Sequence, residues 1–345
     1  MIAAVFEGPG RLEVREVENP EIGPDEVLLE VGANTVCGTD VRILRGEKKR
    51  GVKPGTVIGH EIAGHIARVG RNVRGYEEGQ PAALAPVISC GRCACCRRGM
   101  ENACLSPRIF GYDTDGGLAE YVRIPAEAVA AGNLFPASED VPPEHLSLAE
   151  PLACCVNGHR RSRIGVDDVV VILGSGPIGM LHLQLALLAG ARTVIVSEPS
   201  EARRRFAADL GAHVTVDPTR EELEEVVSQA TDGFGADSVI VCIGIPELVN
   251  DALRLARPGG RVNVFAGLAG RGLSEVEANL IHYNELEVTG SSNSRRVDFE
   301  SALRLIESGR VRVDGMVTHR FPLAEAKEAI ERSASGEGIK VAIVP

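Results

Sequence analysis

The chain has 345 residues, enough for about two domains of roughly 150 residues each. It is 44% hydrophobic and 25% charged, which excludes a disordered, collagen-like or coiled-coil chain. Lys and Arg number 37 against 48 Asp and Glu, a formal net charge of -11, and so acidic a surface argues against a nucleic-acid partner, which needs a cationic face.

The opening run Met1-Ile-Ala-Ala-Val-Phe-Glu lacks the basic segment and longer apolar segment of a signal peptide. No apolar stretch reaches the ~18 residues of a membrane span. The longest, Ile178 to Ala189, is interrupted by Gly179, His182 and Gln184. The expectation is a cytoplasmic chain with no membrane association. Val27-Leu-Leu-Glu-Val, Glu61 to Val69 and Leu118 to Ile124 are short alternating runs broken by Gly and Pro, and they predict strands of a β-rich first domain. The basic run Lys48-Lys49-Arg50 reads as a solvated loop.

Nine cysteines occur, five of them within the fifteen residues from Cys90 to Cys104. An odd count in an unsecreted chain points to metal binding rather than to a disulfide framework. Cys90-x2-Cys93-x2-Cys96-x7-Cys104 offers four thiolates, enough to close a tetrahedral zinc site with no position for substrate, so its role is structural. Cys95 breaks the spacing and is the odd thiol, although exchange with Cys96 as ligand stays open. Outside this lobe, Cys37-Gly38-Thr39-Asp40 and Gly59-His60-Glu61 supply a thiolate, an imidazole and a carboxylate. Three such groups make an incomplete zinc shell, the mark of a catalytic site.

The pattern changes near residue 166. Strands at Val169–Leu173, Thr193–Ser197, Val214–Val216, Ser238–Cys242, Arg261–Phe265 and Leu286–Thr289 alternate with helical patterns, including one to about Ala189 and one over Glu201–Leu210. This order predicts a doubly wound parallel sheet with helices on both faces, an α/β domain. Gly174-Ser175-Gly176-Pro177-Ile178-Gly179 follows the first strand and opens a helix. Gly174 permits the tight turn, Gly176 the approach of a pyrophosphate, and Gly179 close helix packing. The helix N-terminus adds N–H groups and partial positive charge for the phosphates. Glu198, nineteen residues after Gly179, can accept from an adenosine ribose and repel a 2′-phosphate, which favours NAD over NADP; Arg203 to Arg205, one turn on, could receive such a phosphate. The tail carries helical patterns at Phe299–Ser308 and Leu323–Ser333 and a closing strand from Lys340.

These motifs, with Glu150-Pro151, stand in an order and spacing that resemble the zinc-dependent medium-chain dehydrogenase/reductase family, in its alcohol, sorbitol and threonine dehydrogenase group. The resemblance implies a GroES-like catalytic domain from residues 1–153 and 294–345, with a structural zinc lobe near 88–106, and a Rossmann domain over 154–293. It implies two zinc ions per chain. Cys37 and His60 would bind the catalytic one, with Glu61 and Glu150 binding directly, alternately or through water. Glu150 stands where the alcohol dehydrogenases usually have cysteine, and a carboxylate there is similar to the polyol and sugar branch. Lys340 would partner Glu61, and Cys154 would lie beside the nicotinamide.

The implied reaction is hydride transfer between an alcohol, as its zinc-bound alkoxide, and NAD, with Thr39 accepting the alcohol proton. The substrate would be a secondary alcohol, polyol or sugar-like molecule; the alternative is a threonine-type or simple secondary-alcohol dehydrogenase using NADP. Many members carry the proton onward with a histidine five residues after the zinc cysteine, where this chain has Arg42. Arginine does not deprotonate at working pH. Arg42, Phe110, Tyr112, Asn293 and Arg295 are candidates for the substrate pocket. The resemblance also implies a homodimer or homotetramer.

Overall fold

The computed structural model of the protein describes residues 1–48, 51–270 and 272–345. Of the basic run at 48–50, Lys49 and Arg50 lie outside the described residues. The chain divides into two compact units, one of Met1–Ala153, Asn293–Gly309 and Val313–Pro345, the other of Cys154–Ser292 with Arg310–Arg312.

The first unit is built on a seven-stranded sheet. Its strands run in the order Leu134–Pro136, Pro81–Leu84, Glu61–Val69, Val27–Thr35, Lys340–Val344 and Val317–Pro322, with Tyr121–Ile124 also pairing with Val27–Thr35. Val27–Thr35 is buried along almost its whole length, as a run of β-formers covered on both faces should be. Thr35, at its end, pairs with Glu61 on one side and with Ala342 on the other, both antiparallel. The last strand thus lies beside the strand that leads to Cys37. A separate three-stranded sheet joins Arg11–Glu16, Ile2–Gly8 and Thr56–Val57. Its apolar residues Ala3, Ala4, Val5 and Phe6 pack with Val41, Ile43, Ile330 and Ile343 in one core cluster.

The second unit is a six-stranded sheet in the order Val214–Val216, Thr193–Ser197, Val169–Leu173, Ala236–Val241, Ala256–Val264 and Glu287–Gly290, all parallel. This is the doubly wound arrangement that the alternation of strands and helices predicts. The order reverses between Val169–Leu173 and Ala236–Val241, and ligands of such sheets bind at the strand ends beside that reversal. All five residues of Val169–Leu173 are buried, since helices cover both faces. The helix Pro177–Leu188 comes next, closed by Gly190 at φ +90°. Among the described residues no helix is long and apolar enough to cross a membrane.

Candidate metal and cofactor sites

Cys37 precedes the helix Gly38–Leu44, and its backbone N–H donates to Asp40 Oδ2 at 2.9 Å, which fixes the entry of the chain into that helix. The other oxygen of the same carboxylate, Asp40 Oδ1, lies 3.3 Å from His60 Nδ1, with both residues buried. A carboxylate behind an imidazole orients the ring and leaves Nε2 as the nitrogen for a metal. Asp40 therefore serves two elements at once. Burial works to lower the His60 pKa, but the charges of Tyr112, Asp40 and Cys37 outweigh it and hold the ring well above its ordinary value. Gly59 takes φ +92°, and a Cβ there would stand 2.7 Å from Asn34 Oδ1 and 2.9 Å from Leu118 Cγ. Only glycine lets the chain turn into His60 at this point.

Cys37, His60 and Glu61 bring one ligand atom each within 4.8 Å of one another. Glu61 is already engaged. Lys340 Nζ donates to Oε1 at 2.8 Å and lies 2.7 Å from Oε2, and Thr35 Oγ1 donates to Oε2 in a short hydrogen bond. Glu61 is 1% exposed and Lys340 5%, so neither charge could stand unpaired. Burial works to lower the Lys340 pKa, but Glu61, Cys37 and Glu150 together raise it, which keeps the ammonium charged. Glu150 is buried in the first turn of the helix Ala149–Ser162, and its charge reaches Tyr112 and Lys340. It is not among the ligand atoms that converge within 4.8 Å.

Thr39 lies half-buried in the first turn of Gly38–Leu44, and Arg42 is exposed further along that helix. Of the pocket candidates, Tyr112 stacks edge-on to His60 with ring centroids 5.5 Å apart, under the ammonium of Lys48. Burial pushes its hydroxyl up to about 12. Phe110 is a correction: it is fully buried in the core with Leu29, Ile62 and Val122, because the strand beside it turns the ring inward. Arg295 is paired with Asp298 at the start of the helix Arg296–Glu307, and Asn293 Nδ2 donates to the Asn102 carbonyl at 3.3 Å. Both are structural contacts within the first unit.

The four predicted sulfurs converge. Cys93 Sγ lies 3.4 Å from Cys96 Sγ and 4.0 Å from Cys104 Sγ, and Cys90 Sγ lies 4.0 Å from Cys96 Sγ. Four sulfurs each about 2.3 Å from a zinc ion would stand about 3.8 Å apart in a tetrahedron, so these residues fit that metal. Backbone N–H groups of Leu105 and Cys96 pull the Cys93 thiol down to about 6. Cys95 is outside the cluster. Arg296 ties the lobe to the rest of the first unit, its guanidinium pairing with Glu101 and donating to Ser89 Oγ at 3.3 Å.

In the second unit Gly174 turns at φ +96°, and a Cβ on Gly179 would lie 1.9 Å from the Gly174 carbonyl oxygen. A Cβ on Gly176 would meet nothing within 4 Å. Two glycines are thus demanded by the protein itself, whereas Gly176 leaves open space. Pro177 and Ile178 start the helix, where the missing proline N–H costs nothing. Glu198 is 5% exposed and accepts from Ser175 N at 2.8 Å and Ser200 N at 3.0 Å, joining the glycine loop to the turn after the second strand. Arg203 is half-buried in the following helix Glu201–Asp209. Arg204, rather than Arg203, holds the Glu198 and Pro199 carbonyls, at 2.6 and 2.7 Å, and reaches Asp217 at 3.0 Å. Cys154 is half-buried in Ala149–Ser162.

Both parts of the chain match known proteins. Residues 23–133 match the alcohol dehydrogenase GroES-like domain, and residues 177–308 match the zinc-binding dehydrogenase family. L-threonine 3-dehydrogenase of Pyrococcus horikoshii is 34% identical over 99% of this chain and 97% of that protein. D-arabitol-phosphate dehydrogenase of Enterococcus avium is 33% identical over 94% of this chain and 91% of that protein. A zinc-binding dehydrogenase of Sinorhizobium meliloti, solved with NADP, superposes with a TM-score of 0.93 at 38% identity, covering 100% of this chain and 99% of that one.

Proposed function

Because the chain belongs to the zinc-dependent medium-chain dehydrogenase family, and so is an oxidoreductase moving hydride between an alcohol and a nicotinamide cofactor, we propose that Cys37 and His60 hold its catalytic zinc, with Glu61 and Glu150 as acidic partners that bind directly, alternately or through water. Cys90, Cys93, Cys96 and Cys104 hold a second, structural zinc. The single observation that carries this reading is the contrast between the two clusters: one is closed by four sulfurs, the other offers an incomplete set of mixed ligands.

When bound, the catalytic zinc supplies Lewis-acid polarisation that lowers the pKa of an alcohol oxygen. The protein supplies the rest. Asp40 orients His60, Lys340 neutralises Glu61, and Thr39, two residues beyond Cys37, accepts the alcohol proton by hydrogen bond. Arg42 cannot pass that proton on, so water or the cofactor ribose carries it away. Gly174, Gly176, Pro177, Ile178 and Gly179 receive the cofactor pyrophosphate, and Cys154 lies beside the nicotinamide. The buried carboxylate of Glu198 supports NAD over NADP, since a 2′-phosphate there would meet a negative charge. Arg203 is the group that would soften this preference. A comparison of kcat/KM for the two cofactors tests it, and equal values would remove Glu198 as the selector.

The substrate is a secondary alcohol, polyol or sugar-like molecule. A second reading, a threonine-type dehydrogenase, is favoured by the 34% identity to L-threonine 3-dehydrogenase along nearly the whole chain. A panel of polyols, polyol phosphates, threonine and simple secondary alcohols, assayed with NAD, separates the two by relative kcat/KM. The exposed Leu273, Val276 and Tyr283 of the second unit support a homodimer or homotetramer. All nine cysteines are unbridged, which supports a reducing compartment such as the cytoplasm.

A further inference from the structure

Glu61 is held by more than its lysine. Thr35 Oγ1 donates to Glu61 Oε2, Ser147 Oγ lies 3.2 Å from Thr35 Oγ1, and Ser147 Oγ also lies 3.0 Å from the Glu144 carbonyl oxygen, which can accept its proton. Thr35 and Ser147 are 0% and 1% exposed, so no bulk water can replace a lost partner. A hydroxyl carries one proton and can turn it toward either of two acceptors. Two proton arrangements therefore keep both hydroxyl protons bonded. In the first, Thr35 donates to Glu61 and Ser147 donates to Thr35 or to the Glu144 carbonyl. In the second, Thr35 donates to Ser147 Oγ, and Ser147 donates to the Glu144 carbonyl. The second arrangement lets go of Glu61 without leaving a buried hydroxyl proton unpaired, and an unpaired donor is what normally locks such a network.

One Glu61 oxygen is already within 4.8 Å of the ligand atoms of Cys37 and His60. The geometry points to Thr35 and Ser147 as a two-position latch that decides whether Glu61 stays clamped to Lys340 or turns toward the metal. This inference rests on the catalytic metal site proposed above, and it makes both hydroxyls positioning residues. Thr35→Val keeps the shape of the side chain and removes the clamp. Ser147→Ala removes the alternative acceptor and leaves the clamp permanently set. The two substitutions should act in opposite directions.

The test uses full-length protein with zinc in the four-cysteine site and Co2+ in the Cys37–His60 site, whose visible absorption weakens as a carboxylate raises the coordination number. Thr35→Val should lower that absorption by about a factor of two or more relative to wild type. Ser147→Ala should leave it equal or higher, Thr35→Ser should restore the wild-type spectrum, and Glu61→Gln should abolish the effect of Thr35→Val. Identical spectra in wild type, Thr35→Val and Ser147→Ala, with unchanged circular dichroism, would overturn the latch while leaving the metal site intact. A wild-type protein that takes Co2+ only at the four cysteines would remove the metal site itself, and the latch with it.

Discussion

Lys340 and Glu61, 279 positions apart in the chain, meet at 2.8 Å in a buried ion pair that spans the strand carrying Thr35. The pair joins the last strand to the strand that begins just after His60. Replacing Lys340 by Met should destabilise the protein by ~3–5 kcal/mol, because a buried carboxylate is left without its cation. Adding Glu61→Gln should recover most of that loss. Urea unfolding of the two single variants and the double variant measures the coupling, and strictly additive losses would show that the pair is not an energetic unit.

The glycine loop separates folding from binding. Gly179→Ala should lower the melting temperature, since its Cβ would sit 1.9 Å from the Gly174 carbonyl oxygen. Gly176→Ala should fold like wild type, its Cβ meeting nothing within 4 Å, yet weaken cofactor binding at least tenfold by filling the space the pyrophosphate needs. Thermal melts and calorimetric titration with NAD distinguish the two. Wild-type cofactor affinity in Gly176→Ala would contradict the placement of the pyrophosphate.

Among the five clustered cysteines, four are expected to ligate metal and one to be dispensable. Cys104→Ser should lower the zinc content by one ion per chain and reduce the melting temperature. Cys95→Ser should leave both unchanged. Elemental analysis after dialysis checks the pair, and loss of zinc from Cys95→Ser would place Cys95 in the site.

His182 makes a pH prediction. It is fully buried in the helix Pro177–Leu188, edge-on to Phe265 with centroids 4.6 Å apart, and neither ring nitrogen has a hydrogen-bond partner among the described residues. Burial pushes its pKa from 6.5 to about 3, with a smaller contribution from His159. Between those two values the unfolded chain binds a proton that the folded chain does not. Stability is therefore full above pH 6.5 and falls toward about pH 3, by up to ~1.4 kcal/mol per unit. Urea midpoints for His182→Leu should fall less steeply than wild type between about pH 7 and pH 5. Parallel slopes would mean that His182 takes up its proton as readily in the folded chain as in the unfolded one.

Much of the fold was legible because apolar periodicity and glycine position report directly on local structure. The strands Val169–Leu173, Thr193–Ser197 and Glu61–Val69 stand where their runs predict them. Val317–Pro322 gives little strand signal, because the polar His319 takes the inward position between Val317 and Phe321. Ile2–Gly8 and Arg11–Glu16 read as little more than a non-signal N-terminus, since only the paired partner reveals a short strand. The site divides the same way. Cysteine spacing announced the four-sulfur cluster, and Asp40 stood in the quoted motif without a role, because its reach to His60 depends on folding. Thr35 and Ser147 carry no sequence signal; only strand register sets Thr35 opposite Glu61.

Oxidation of an alcohol by a nicotinamide cofactor at the proposed Cys37–His60 metal centre can be observed directly. The most direct measurement is the near-ultraviolet absorbance of reduced cofactor when zinc-replete protein is mixed with NAD and each member of a panel of polyols, polyol phosphates, threonine and secondary alcohols. The expected result is steady cofactor reduction with at least one compound, abolished by His60→Ala although the four-cysteine zinc is retained. Undiminished reduction in His60→Ala, or none by wild type with any compound and either cofactor, would contradict the account.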